Sequence, residues 1–179
     1  MSIPAKTSRT QFWKMKILGI DPSLRSTGFG VIEATGNSFT ALGAGEIKIL
    51  ATLRPSLCLV KIDDVVTQLL EQYRPTVMAI EGLVYVQNTR IAFTLGQVRG
   101  VIIAAAARAG LEIYEYAPRQ VKRSVTGSGA AGKTQVAQMM KAQLGLPEVP
   151  PADAADALAI AICHAQSCRG IQLNHRQQL

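Results

Sequence analysis

The chain has 179 residues, of which 48% are hydrophobic and 17% charged, and its formal net charge is +7. This composition excludes a disordered chain, and the length suits a single globular domain. No apolar run approaches the roughly 18 to 20 residues that cross a bilayer, and the cysteines show no paired spacing, so we expect a reducing, cytoplasmic location without membrane contact. We predict an N-terminal tail over residues 1–14, a domain over 15–170 and a C-terminal tail over 171–179.

Strand and helix patterns alternate along this predicted domain. In chain order we predict strands over residues 16–20, 27–33 and 39–49, a helix over 55–73, a strand over 76–81, a long helix over 89–109, a strand over 111–116, and helices beginning at Pro118, Lys133 and Ala152. The strands are short β-branched runs bounded by turn residues, and the helices show apolar residues at amphipathic spacing. This order predicts an α/β domain with a mixed five-stranded sheet flanked by helices.

Two buried strands of this pattern end on an acidic residue. Asp21 follows the apolar run "KILGI", and Glu81 ends the run "TVMAIE". The carboxyl ends of neighbouring strands are where α/β sheets place their ligands. The last helix adds Asp153 and Asp156, which are spaced i, i+3 in its first turn, where the helix dipole favours negative charge. We therefore expect these acids to meet at one edge of the sheet.

Four carboxylates gathered in one place repel each other, and a divalent cation removes the conflict. Ligands that are all oxygen suit Mg²⁺ or Mn²⁺ rather than zinc. Such a cluster is what two-metal phosphodiester hydrolysis needs, with two ions roughly 4 Å apart. Each acid alone has an ordinary explanation, because Asp21 could begin a turn, Glu81 could pair with an arginine and Asp153 could cap a helix. Their combination on a basic protein favours the metal site.

A stretch without acids lies between residues 117 and 147. Its basic residues are Arg119, Lys122, Arg123, Lys133 and Lys141. A stretch of one charge sign indicates a surface for polyanions, although basic clusters are more often simply solvated. Within it, "GSGAAGKT" fits the phosphate-loop pattern, but the segment before it is charged and begins with proline, unlike a buried strand. We therefore expect no nucleotide cofactor, while Lys133 could still contact a DNA phosphate.

Four segments carry a resemblance to a known family: "ILGIDPSLRSTGFGVI", "AIEGLVYVQNTRIAFTLGQVRGVIIAAA", "EYAPRQVKRSVTGSGAAGKTQV" and "ADAADALAIAICHA". Together they resemble the RuvC family of Holliday-junction resolvases. The resemblance implies a ribonuclease H-like fold and a homodimer that cuts four-way DNA junctions by paired symmetric nicks in recombination and repair. It also implies two Mg²⁺ ions per subunit, with Mn²⁺ as a substitute, and names a RuvA/RuvB-type branch-migration complex as a candidate partner.

The resemblance also assigns roles to residues of this chain. The catalytic, metal-binding residues are Asp21, Glu81, Asp153 and Asp156, and the DNA-contacting residues are Lys122 and Lys133, with Arg119 and Arg123 beside them. The long helix around residues 95–107 would help form the dimer interface, where Gly96, Gly100 and Ala104 permit close approach of a second helix.

The chain departs from the family's pattern near two of these residues. Ser23 stands where the family commonly has glycine, and Val84 stands where it tends to have an aromatic residue. We hypothesise that the neighbouring Tyr85 stacks on an opened junction base, with packing inside its own loop as the alternative. Two other functions stay open from the sequence: a related nuclease acting on structured RNA, and a non-catalytic nucleic-acid-binding module of the same fold.

Overall fold

The computed structural model describes residues 14–83, 88–168 and 177–179. The elements in chain order are β1 (Lys14–Asp21), β2 (Ser26–Thr35), β3 (Ser38–Lys48), α1 (Pro55–Tyr73), β4 (Val77–Glu81), α2 (Thr89–Arg108), β5 (Glu112–Tyr116), α3 (Pro118–Thr126), α4 (Lys133–Leu144), α5 (Ala152–Ser167) and β6 (Gln177–Gln178). The predicted strands and helices therefore occur in the predicted order.

The strands form one mixed sheet in the order β3-β2-β1-β4-β5-β6. Strand β2 pairs antiparallel with both β1 and β3, whereas β1, β4 and β5 run parallel to one another. The α/β prediction is confirmed, and a sixth strand of two residues is added, because β6 pairs antiparallel with β5 within the predicted C-terminal tail. The rest of that tail, residues 171–176, and residues 1–13 of the N-terminal tail lie outside the described residues.

Helices cover both faces of the sheet. On one face α3, α4 and α5 bury a cluster with β1 and β2 side chains, and on the other face α1 and α2 do the same. Helix α5 approaches β1 and β2 very closely: a Cβ atom on Gly19 would lie 2.1 Å from the Ala157 carbonyl oxygen, and one on Gly28 would lie 2.0 Å from the Asp153 carbonyl oxygen. These glycines let the backbone of α5 rest on the sheet, which brings the first turn of α5 to the end of β1.

Helix α2 has one face in the core and another face in solvent. Val98 and Ile102 are buried, whereas Ile91 and Phe93 are 55% and 75% exposed. Among the described residues, α2 is the one helix that is long and apolar enough to cross a membrane. The sequence pattern predicts no segment of that kind. It packs against α1 and β5, as a core helix of a globular domain does.

The segment that resembles a phosphate loop joins two helices. Helix α3 ends at Thr126 and is capped by Gly127, whose positive φ of 79° suits glycine. Helix α4 begins at Lys133. A phosphate loop instead follows a buried strand. The expectation that this segment is not a nucleotide-binding loop is therefore supported by its place in the fold.

Candidate active site

Asp21 and Glu81 end two adjacent parallel strands. Ile20 of β1 pairs with Ile80 of β4, so the next residue of each strand is an acid at the same edge of the sheet. The two carboxyl groups lie close enough for the side chain of Asp21 to affect the pKa of Glu81. The sequence pattern of an apolar run ending on an acid therefore identified two neighbouring side chains.

Asp153 and Asp156 reach the same edge from the first turn of α5. The Nζ atom of Lys133 lies 3.7 Å from Oδ1 of Asp153 and 3.6 Å from Oδ2 of Asp156. The hydroxyl of Ser26, at the start of β2, donates a hydrogen bond of 2.5 Å to Oδ2 of Asp153. Ser26 was not anticipated, because a single serine near a turn has no distinguishing sequence signal.

The electrostatics show that the four acids share one site. The pKa of Asp21 is raised to about 8 by burial and, to a smaller extent, by the charges of Glu81, Asp156 and Asp153. Burial and the charge of Asp156 raise the pKa of Glu81, and burial also raises the pKa of Asp156. Proton binding is favoured wherever carboxylates lack enough positive charge around them. The cluster is therefore short of cations even with Lys133 beside it.

The donor set fits a hard divalent cation, since every side chain offered is a carboxylate. Within residues 14–83, 88–168 and 177–179, however, no group of three or more His, Cys, Asp or Glu side chains has the spacing needed to coordinate one metal ion. The ammonium of Lys133 lies between the two α5 acids instead. The site thus combines a concentration of negative charge with side chains that have not closed into a coordination shell.

Basic side chains of α3 and α4 flank the acids. Lys133 has a side chain that is 66% exposed, and the charge of Lys122 lowers the pKa of both Glu81 and Asp156, which places it near them. Arg119 and Arg123 are exposed on α3, four residues apart and therefore on one face of the helix. The predicted stacking residue Tyr85 and its neighbour Val84 lie outside the described residues, so that hypothesis stays a prediction.

Arg99 contacts the main chain of Glu81. The guanidinium of Arg99, on α2, is buried and donates to the main-chain carbonyl of Glu81 and to the carboxylate of Glu115 on β5. The sequence offered no signal for it, because an arginine on an otherwise apolar helix gives no indication of whether it faces the core.

Three comparisons relate this chain to known proteins. Residues 17–164 match the family described as crossover junction endodeoxyribonuclease RuvC. The RuvC protein of Pseudoalteromonas translucida is 52% identical over 151 residues, covering 84% of this chain and 86% of that protein. The RuvC protein of Brevibacillus brevis is 50% identical over 153 residues, covering 85% of this chain and 92% of that protein.

A solved structure shows the same fold. The structure of Thermus thermophilus RuvC in complex with Holliday junction substrate superimposes with a TM-score of 0.84 at 33% identity, covering 92% of this chain and 99% of that one. The ribonuclease H-like fold expected from the sequence is therefore confirmed. Because the similarity spans nearly all of the domain in both chains, it includes the strands and helices that hold the acids.

Proposed function

The chain belongs to the RuvC family of crossover junction endodeoxyribonucleases, and from that premise we propose that it resolves four-way DNA junctions by paired symmetric nicks, in recombination and repair. The observation that carries the proposal is the convergence of Asp21, Glu81, Asp153 and Asp156 at one sheet edge, beside basic residues of α3 and α4. A non-catalytic module would have no use for acids gathered so closely that burial and the charges of neighbouring carboxylates raise the pKa values of Asp21, Glu81 and Asp156.

Nucleases of this family depend on a divalent metal, and we propose Mg²⁺, replaceable by Mn²⁺, with two ions per subunit held by the four acids. When bound, such ions supply Lewis acidity that activates water and stabilises the leaving 3′ oxygen. Asp21 and Glu81 are fixed at the strand ends and offer carboxylates in constant positions. Asp153 and Asp156 extend from α5 and can close toward them.

The lysines act on the DNA side of the site. The ammonium of Lys133 lies beside the carboxylates of Asp153 and Asp156, and from this position it would reach the scissile phosphate of a bound junction. Lys122 lies close enough to Glu81 and Asp156 to act on the same phosphate. Arg119 and Arg123 extend the positive surface along α3, where they bind backbone phosphates without reading sequence.

A two-fold dimer matches a junction that is nearly two-fold symmetric, because each subunit then presents one site to one of two like strands. Helix α2 supplies a suitable surface, because Ile91 and Phe93 are exposed. Among the described residues, no atom outside the backbone of α2 itself lies within 4 Å of a Cβ built on Gly96 or Gly100. We propose a homodimer through this helix in the bacterial cytoplasm, with a RuvA/RuvB-type branch-migration complex as its partner.

The test is incubation with a synthetic mobile four-way DNA junction, with and without Mg²⁺, followed by product mapping. We expect symmetric paired nicks only when Mg²⁺ is present, and none from the Asp21→Asn variant. The Glu71→Gln variant should cleave as wild type, because Glu71 is exposed in the last turn of α1, which ends beside the start of β1 and not beside Asp21. Faster cleavage of structured RNA than of the junction would overturn the DNA assignment. Metal-independent binding without any nicks would show a binding module.

A further inference from the structure

We infer that Arg99 and Glu115 form a positioning pair that sets the place of Glu81 for metal binding, an inference that rests on the proposed role of Glu81 in cleavage. Arg99 lies on α2 and is 5% exposed. One guanidinium nitrogen donates to the main-chain carbonyl of Glu81, and the other donates to the carboxylate of Glu115. The pair therefore joins α2 and β5 to the last residue of β4.

The surroundings are built to hold this pair in one arrangement. Glu115 and Glu81 lie on adjacent strands, with Ile80 facing Glu115 and Glu81 facing Tyr116 in the register. The amide of Gly82 donates a hydrogen bond of 2.8 Å to the Tyr116 carbonyl oxygen, which fixes the chain just after Glu81. A Cβ atom on Gly82 would lie 2.9 Å from Oε1 of Glu115, so the glycine leaves room for that carboxylate.

The energetics favour a positioning role over a stabilising one. The side chains of Arg99 and Glu115 are 6% and 20% exposed, so both charges are largely removed from water. Replacing a buried ion pair by apolar residues of similar volume is often neutral or stabilising, so stability alone gives little reason for one here. The bidentate guanidinium instead fixes a direction, because its planar nitrogens meet a carbonyl and a carboxylate at once.

Arg99 acts through the backbone rather than through its charge. Arg99 contacts Glu81 at its main-chain carbonyl, and the carboxylate with which it pairs is that of Glu115. Losing the bond from Arg99 should therefore displace the backbone of Glu81 and, with it, the carboxylate that the backbone carries. A displaced ligand weakens metal binding, and outer-sphere partners of ligands are commonly worth about 10- to 100-fold in metal affinity or activity.

The test uses the full-length chain with the Arg99→Met/Glu115→Gln double variant, which removes the pair without leaving one buried charge alone. Mn²⁺ binding is measured by electron paramagnetic resonance without DNA, and single-turnover junction cleavage is measured across Mn²⁺ concentrations. We expect about 10- to 100-fold weaker Mn²⁺ binding and a matching shift of the cleavage curve, with junction binding in EDTA unchanged. The matched control is Arg108→Met. Arg108 lies on α2 like Arg99, but it forms an exposed ion pair with Asp63 of α1, so this variant should behave as wild type.

Two further variants keep the result decisive. If the double variant does not fold, Arg99→Lys keeps a charge opposite Glu115 but cannot present the planar fork, and it should show the same weakened Mn²⁺ binding. A folded variant of either kind with wild-type Mn²⁺ binding and cleavage overturns the inference. Glu81→Gln distinguishes the proposed role of Glu81 in cleavage from the positioning role of Arg99 and Glu115. If this variant cleaves as wild type, the proposed role of Glu81 fails. If it is inactive while the Arg99 variants are normal, only the positioning role fails.

Discussion

Asp21→Asn should stabilise the metal-free protein while abolishing its activity. Asp21 is partly buried beside Glu81, Asp153 and Asp156, and its pKa is raised from 3.8 to about 8. The folded state therefore holds a proton that the unfolded state releases, so stability falls as pH rises between these two values. Asparagine has a similar shape and no charge, so the substitution removes this penalty.

The size of the effect follows from the displaced pKa. Each pKa unit corresponds to about 1.4 kcal/mol, so the full displacement sets an upper bound of about 6 kcal/mol at pH 9. Because the neighbouring acids titrate together with Asp21 and share the proton, we expect about 1 to 3 kcal/mol. At pH 4 the folded state is almost fully protonated at this position, and roughly 40% of the unfolded state is, because the ordinary pKa is 3.8. The advantage should therefore fall to at most about 0.6 kcal/mol at that pH.

Urea denaturation in EDTA at pH 4, 6 and 9 measures this directly. We expect the Asp21→Asn advantage to grow from pH 4 to pH 9 and Mg²⁺ to stabilise wild type more than the variant at pH 9. Glu71→Gln, which changes an exposed acid at the opposite edge of the sheet, is the matched control and should show no such trend. An advantage that is equal at all three pH values, or a destabilised variant at pH 9, would refute the electrostatic reasoning.

Three other substitutions test the parts of the site separately. Lys133→Met should lower single-turnover cleavage about 100- to 1,000-fold at saturating Mg²⁺, because it removes a cation aimed at developing charge. It should change the free energy of unfolding by less than about 1 kcal/mol, since the lysine side chain is 66% exposed; unchanged cleavage rates would exclude the role. Gly28→Ala should destabilise the fold by at least about 1 to 3 kcal/mol in urea titrations, since its Cβ would lie 2.0 Å from the Asp153 carbonyl oxygen, and wild-type stability would contradict the close packing of α5. Phe93→Glu should give monomers in sedimentation velocity and unpaired single nicks in junctions, because it places charge on the exposed face of α2, and an intact dimer would move the interface elsewhere.

The sequence revealed those parts of the site that depend on local patterns. Asp21 and Glu81 could be predicted because each ends an apolar run, and parallel strands bring such ends together. Asp153 and Asp156 could be predicted because their spacing places both on one turn of a helix rich in small residues. The close approach of that helix depends on Gly19 and Gly28, whose significance appears only once the sheet register is known.

Other features depend on tertiary structure and had no local signal. Arg99 and Ser26 contact the acidic residues through pairings 18 and 127 residues apart in the chain, and no periodicity marks either residue. Strand β6 has two glutamines and exists only because the edge of β5 is there to pair with it. The dimer interface, the partner complex and the stacking role of Tyr85 stay predictions.

Crystals soaked in Mn²⁺ and measured at an anomalous wavelength test the central claim most directly. We predict anomalous peaks within roughly 2 Å of carboxylate oxygens from both strand ends and from α5, with Lys133 moved away from Asp153 and Asp156. The absence of a peak among these four acids, at Mn²⁺ concentrations that support cleavage, would contradict the account.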